Sequence, residues 1–543
     1  MGDSVSMEKE SKESVAGESP LAESPLAEPP LSRNKALVTL GFTVLLALGF
    51  LIYVTNISEN PPGFYLDEAG YAYNAYLVAQ TGAGEFGSRY PLFFQFYTGG
   101  FTQYANPISI YLLAFVYWLF GPSILLARLL AAASMYAASL LLGALAARVS
   151  GRRMVGFIVA LSALLTPWLF EVGRLMLETF FYPMAVVLFL WAVYRAHNKS
   201  KWAWSDCLMV ALTLALLTYT YTIGRLLAPL LALGVLSFAT NKQRLFAVGK
   251  TWLIFGVTLL PLIVFNLQNP GLTTRFYLLS YIKPESTLSE IIVKFVSRYL
   301  EDINPVLLLL NGDINPRHHL PDALGSMFFA TFILAVIGII VVLVRHRGDA
   351  WWRFVLFGLA ASAVPGALTV DKFHTLKMIA YPIFLLLLTV PALEWLLEKA
   401  LNESGTAAET EPSGADFWPL ARRGVLVGLL ILTLVEAAYF HRQYQHEGKK
   451  RGYIFDAAYK QVYDLAVAQP KRPIYLVDNY WGPAYMHSFW YATLEGRSTA
   501  EFIHQPDGVR PPAGVIVIST ERNCTDCTLI SRTGDYLLYQ MTK

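Results

Sequence analysis

Two adjacent carboxylates, Asp67 and Glu68, stand inside the aromatic-rich stretch Pro61-Pro62-Gly63-Phe64-Tyr65-Leu66-Asp67-Glu68-Ala69-Gly70-Tyr71-Ala72-Tyr73, just beyond a long apolar run. A carboxylate beside an apolar interface is partly desolvated, which raises its basicity. A base so placed can take the proton of an attacking hydroxyl. The plainer reading is a helix cap, because acids favour helix starts. Neighbouring residues on a helix point about 100° apart. One acid can therefore face a cleft while the other holds structure. Two histidines, His318 and His319, lie near Asp313 and Asp322 and raise the question of a metal. Their spacing matches no standard ligand motif, and no metal site is assigned from it. Cys524-Thr525-Asp526-Cys527 is a lone CxxC, which fits a local disulfide or two spectator thiols.

The elements that must carry these residues follow from composition and patterning. The 543 residues are 55% hydrophobic and only 15% charged, with a mean hydropathy of +0.44. A soluble domain is typically about a quarter charged. This excludes an ordinary cytosolic enzyme, a disordered chain and a disulfide scaffold, and it points to a protein of many membrane spans. A net charge of +3, from 42 basic and 39 acidic residues, gives no reason to expect nucleic acid as a partner. A span needs roughly 20 apolar residues, and about eleven runs approach that length: 36–55, 122–147, 154–170, 178–194, 206–220, 224–239, 248–266, 323–344, 351–369, 377–397 and 423–440. The expected fold is an all-α polytopic membrane protein with a small C-terminal α/β domain. Residues 1–34 are polar and repetitive and are expected to form a disordered cytoplasmic tail. Residues 35–440 form the membrane module, with long outer loops at 56–121 and 267–322, and 441–543 forms the outer α/β domain.

Orientation comes from charge. With the N-terminus inside, the inner loops hold most of the basic residues, among them Arg148, Arg152, Arg153, Arg195, Lys199 and Lys201. The short outer loops hold only Arg174, Arg225, Lys372 and Lys377, a positive-inside bias. In the first outer loop, 69–80 and 106–121 read as amphipathic interfacial helices. In the tail, Ala457, Val462, Leu465 and Ala466 give a helical stripe, and 474–477, 515–518 and 536–539 read as strands.

An outer loop with Asp-Glu directly after the first span resembles the polyprenyl-phosphate-sugar-dependent glycosyltransferases of the membrane-integral C type. These include the protein O-mannosyltransferases, the lipid A aminoarabinose transferase and rhizobial lipopolysaccharide core transferases. Further matches follow in order: Asn106-Pro107 to Leu119-Phe120-Gly121 resembles the family's interfacial helix, and Ala127-Arg128-Leu129 resembles its entry to the second span. Arg174 with Glu178 resembles an Arg followed by an acid, and His374-Thr375-Leu376-Lys377 resembles a basic pair leading into a late span. Lys377 stands where the family more usually has Arg, so a phosphate contact there is a point charge and not a fork.

The resemblance implies a hexosyl or pentosyl transferase with Asp67 as general base, Glu68 beside it, and inversion at the anomeric carbon. Its donor is a polyprenyl-phosphate-linked sugar and its acceptor a glycan, lipid or protein. Arg174, Arg225, His374 and Lys377 are the implied lipid-phosphate contacts. Glu85, Glu178, Tyr71 and Tyr73 are the implied acceptor or sugar contacts. No cofactor is required, and a divalent cation at Asp67 or Glu68 is an open option. The absence of a eukaryotic accessory domain and of Cys-rich outer loops points to a prokaryotic plasma membrane, with the site and the C-terminus outside. The alternative is a secondary transporter or lipid flippase. Such proteins show paired halves and polar groups at mid-membrane, whereas here the charges gather at the outer ends of spans.

Overall fold

The computed structural model describes residues 33–96, 103–269, 277, 279–398, 417–478, 483–506, 508–521 and 524–542. The expected N-terminal tail, up to residue 32, lies outside these residues. The chain divides into two units, Met1–Val44 and Leu45–Lys543. In the first, the described part, 33–44, is helical. Everything below concerns the second.

Each apolar run is helical. Among the described residues three helices, Ile124–Ser150, Lys242–Gln268 and Leu420–Tyr453, are long and apolar enough to cross a membrane by length and composition. Others are shorter or broken. Arg153–Leu165 has 13 residues and stops before Pro167. At 1.5 Å per residue it covers about 20 Å, less than the roughly 30 Å hydrocarbon layer. The run expected at 377–397 is split into Tyr381–Leu387 and Thr389–Leu396. Helices Ile124–Ser150 and Arg153–Leu165 pack backbone to backbone at Gly143 and Gly156. A Cβ on either glycine would lie 2.5 Å from the other's carbonyl oxygen, so only small residues permit that approach.

The first outer loop supplies two helices and a hairpin. Helix Leu66–Thr81 ends at Gly82, whose φ of 71° is left-handed. Strands β1 (Phe94–Phe96) and β2 (Gln103–Ala105) pair antiparallel. Helix Pro107–Phe120 starts on a proline, whose missing N–H costs nothing in the first turn. Its outer face leaves Trp118 66% and Phe120 71% exposed, a surface suited to a lipid–water boundary.

The C-terminal region is a five-stranded mixed sheet with helices Ala457–Val467 and Tyr485–Leu494. Its strands are β3 (Ile474–Val477), β4 (Phe502–His504), β5 (Ile516–Ser519), β6 (Cys527–Thr533) and β7 (Tyr536–Met541), in the order β4-β3-β5-β7-β6. β3 pairs parallel with β4 and β5, and β7 pairs antiparallel with β5 and β6. The buried face of helix Ala457–Val467 is Tyr459, Val462, Tyr463 and Ala466; Leu465, assigned to that stripe from sequence, is 42% exposed. Cys524 and Cys527 are joined as a disulfide. Composition suggested a boundary at 440, but helix Phe417–Glu447 runs through it. Beyond it the tail shares one hydrophobic core with the first outer loop. Trp490 stacks on Phe64 at 5.6 Å and on Tyr117 at 5.9 Å.

Candidate functional site

Tyr65 precedes the helix that carries both acids, so Asp67 and Glu68 fall in its first turn. Glu68 is fully buried and fully used. It accepts the Tyr65 N–H (3.1 Å), the Met176 N–H (3.0 Å), and Nε (3.0 Å) and Nη2 (2.8 Å) of Arg128. Arg128, itself buried, spends its other donors on the carbonyls of Ile57, Ser58, Pro61 and Gly63. This corrects the expectation that Glu68 takes part in chemistry: it ties the helix start to the loop before it. Asp67, turned about 100° away, is half-buried. Its helix is held from a second side, because Asp456 Oδ2 accepts the Leu66 N–H at 3.1 Å. Burial raises the Tyr65 phenol, the charge of Asp67 adds to this, and Arg317 opposes it. The Arg317 guanidinium lies 3.8 Å over the Tyr65 ring, and its Nε is buried with no hydrogen-bond partner among the described residues. Arg317 escaped the sequence reading; the only signal was a cation beside two histidines in an outer loop.

The four expected phosphate contacts meet different fates. Arg174 is fully buried and faces carbonyls. It donates to Asn60 (2.8 Å), Thr55 (2.9 Å), Ile52 (3.3 Å) and Tyr53. It therefore closes the C-terminal end of the helix Arg33–Val54, where orphan carbonyls demand donors, and the lipid-phosphate assignment is corrected. Lys377 is paired with Asp371. The His374 ring lies tilted against that of His318 at 4.6 Å, and burial, then the charges of His318 and Lys377, push it down to about 3, against a charged imidazole at this position. Asp313 accepts from His318 Nδ1 at 3.1 Å and from the Thr375 N–H and hydroxyl, each at 2.8 Å. Burial raises its carboxyl, yet the His318 hydrogen bond and the His318 and His374 charges hold it well below the usual range. His319 turns elsewhere, to Glu171 at 2.7 Å, and Asp322 is exposed.

The fourth, Arg225, belongs to a separate group. Its Nη2 donates to Asn106 Oδ1 at 3.0 Å, and it lies 5.0 Å over Phe93. Asn106 in turn donates its backbone N–H (2.6 Å) and Nδ2 (2.7 Å) to Glu178 Oε1. Asn106 thus joins Glu178 to Arg225. Glu178 and Glu68 are served by one turn, since Met176 lies between Arg174 and Glu178.

The remaining expected contacts divide between the hairpin of the first outer loop and the tail. Tyr71, one turn along from Asp67, packs on Phe96 at 4.9 Å. Tyr73 lies on another side of the helix, 5.6 Å from Phe489. Glu85 accepts the Tyr485 hydroxyl at 2.6 Å, while its Oε2 is buried without a partner among the described residues. Burial pushes its carboxyl up to about 7, against smaller opposing contributions from Tyr485, Asn74 and His504. The structure therefore sets Arg317 on Tyr65, two residues before Asp67, and brings together Glu178 with Arg225 and Glu85 with Tyr73 and the tail.

Residues 105–267 match the family described as dolichyl-phosphate-mannose-protein mannosyltransferase, under a third of the chain. No curated protein matches by sequence. Among solved structures, ArnT from Cupriavidus metallidurans bound to undecaprenyl phosphate is similar at 12% identity and a TM-score of 0.56, covering 92% of this chain and 98% of that one. The apo form of the same protein gives 12% identity and 0.55, covering 93% and 98%. The archaeal oligosaccharyltransferase AglB from Archaeoglobus fulgidus, in complex with an inhibitory peptide and a dolichol-phosphate, gives 14% and 0.48, covering 87% and 65%. With nearly the whole of both chains superposed, this protein has the fold of the membrane-integral C-type glycosyltransferases.

Proposed function

We propose that the chain is an inverting glycosyltransferase that moves a sugar from a polyprenyl-phosphate donor to an acceptor hydroxyl on the outer side of a prokaryotic plasma membrane. In this reading the acceptor oxygen attacks the anomeric carbon and its proton passes to Asp67. The bond from that carbon to the phosphate oxygen breaks, and the electron pair leaves on the polyprenyl phosphate. The leaving group is already ionised, so no general acid is needed. Attack on the face opposite the leaving oxygen inverts the centre. Arg317 offers a guanidinium to the phosphate, and Glu178 and Arg225 border the acceptor side.

One observation carries this reading. A half-exposed carboxylate sits in the first turn of a helix pinned by Arg128 and Asp456, with Arg317 over Tyr65 at the start of that helix. The fold around it is shared with a protein solved with undecaprenyl phosphate bound. The test is Asp67→Asn expressed in place of the wild type, with envelope glycans compared by mass spectrometry. Loss of a general base lowers transfer by about 10²–10⁴-fold, so one sugar should disappear while the protein stays folded in the membrane. Full glycosylation by this variant rejects the reading.

A further inference from the structure

We infer that Asp313, His318 and His374 form a binding site for one divalent transition ion, zinc by the character of the donors. Asp313 and His318 come from the segment after the helix Leu288–Asp302, and His374 from the loop after Ala350–Ala367. One donor atom from each lies within 4.8 Å of the other two. Two imidazoles and a carboxylate suit zinc, whose bonds to nitrogen and oxygen are about 2.0–2.2 Å. The edge of such a tetrahedron is about 3.4 Å, and Asp313 Oδ2 already stands 3.1 Å from His318 Nδ1.

Proximity is not the only argument. His374 Nδ1 is buried with no hydrogen-bond partner among the described residues, a cost that ligation removes. Asp313 is braced from behind. Thr375 donates twice to its Oδ2 and the Asn315 N–H donates to Oδ1 at 2.9 Å. Outer contacts of this kind orient ligating carboxylates. Lys377, three residues from His374, is paired with Asp371, so its charge is locally balanced against an incoming cation.

Three protein ligands leave one of four positions open, as in sites that meet a substrate and unlike closed structural ones. Arg317 adjoins His318 in the chain and stacks on Tyr65, two residues before Asp67. The open position therefore belongs to the same neighbourhood as the proposed base. That it takes a phosphate oxygen of the donor rests on the transferase reading; binding of the ion does not.

The experiment measures the metal directly. Full-length protein in detergent is stripped with a chelator and titrated with Zn²⁺, and with Co²⁺ read by its visible d–d absorption. One ion per chain is expected, with a four-coordinate nitrogen and oxygen spectrum. His374→Gln and His318→Gln each remove a ligand and should weaken binding by more than the roughly 10–100-fold that loss of an outer contact costs, and the exposed His446→Gln should not. Absence of a stoichiometric ion, a thiolate charge-transfer band, or wild-type affinity in both variants overturns the site. The wild-type Co²⁺ spectrum decides even if a variant fails to fold. Loss of the transferase reading would leave every one of these measurements unchanged.

Discussion

Glu68 and Asp67 occupy one helical turn and do opposite things. Around Glu68 both oxygens are filled, and the Arg128 and Met176 that fill them are buried. Asp67 is half open, and Arg317, over the Tyr65 ring two residues before it, keeps its Nε unpartnered among the described residues. A fully satisfied network rigidifies, while one with spare donors can receive a ligand. The difference teaches that the acid pair is divided into frame and edge by the 100° step of the helix, not by residue type. Arg128→Met is the harshest way to break this comparison. It leaves Glu68 buried and unpaired, which costs about 3–5 kcal/mol. Thermal unfolding in detergent should show a large loss for Arg128→Met and almost none for Asp67→Asn. The reverse order would place the frame at Asp67.

Arg174 tests the frame from a second side. Its guanidinium serves carbonyls at four positions between Ile52 and Asn60. Lysine keeps the charge but offers its donors from a single point. Arg174→Lys should therefore strand buried carbonyls and cost about 2–3 kcal/mol. If Arg174 instead held a lipid phosphate, the lysine variant would unfold like the wild type, and its loss would appear only in the binding of polyprenyl phosphate.

Much of this architecture is legible in the sequence. The apolar runs became helices, with 154–170 and 377–397 each broken in two, the segments at 69–80 and 106–121 became the two helices of the first outer loop, and β3, β5 and β7 stand where short apolar runs placed them. The missed strands have physical reasons. β4 has three residues, and β6 is an edge strand of largely polar, exposed side chains, so neither carries an apolar period. Site residues were legible by type and not by destination. Arg174 read as a cation near the outer face, but its partners are backbone carbonyls, which no side-chain pattern reveals. Asn106 read as the start of an interfacial helix, yet it bridges Glu178 and Arg225 because it can donate and accept at once. Asp313 and His374 lie on loops far apart in sequence, and spacing rules for metal ligands see only local repeats.

Glu85 sharpens the comparison at the far end of the same helix, where the first outer loop meets the tail. Its carboxyl is pushed from the ordinary 4.5 up to about 7, chiefly by burial. A raised value in the folded state means that folding favours the protonated form. The contribution is full below about pH 4.5 and is lost as pH rises through about 7. Between pH 5 and 8 the buried seam around Glu85 should lose on the order of 2 kcal/mol, because the cost of burying the charge outweighs the Tyr485 hydrogen bond that favours it. Hydrogen exchange across the helix Tyr485–Leu494 would report it as faster opening at the higher pH. Glu85→Gln keeps an acceptor for the Tyr485 hydroxyl and carries no charge at either pH, so its exchange should lose this pH dependence once the intrinsic rate is divided out. A variant with the wild-type pH profile would move the titrating group elsewhere, with His504 and Asp478 the next to test, because they pair at 3.3 Å on the other side of Tyr485.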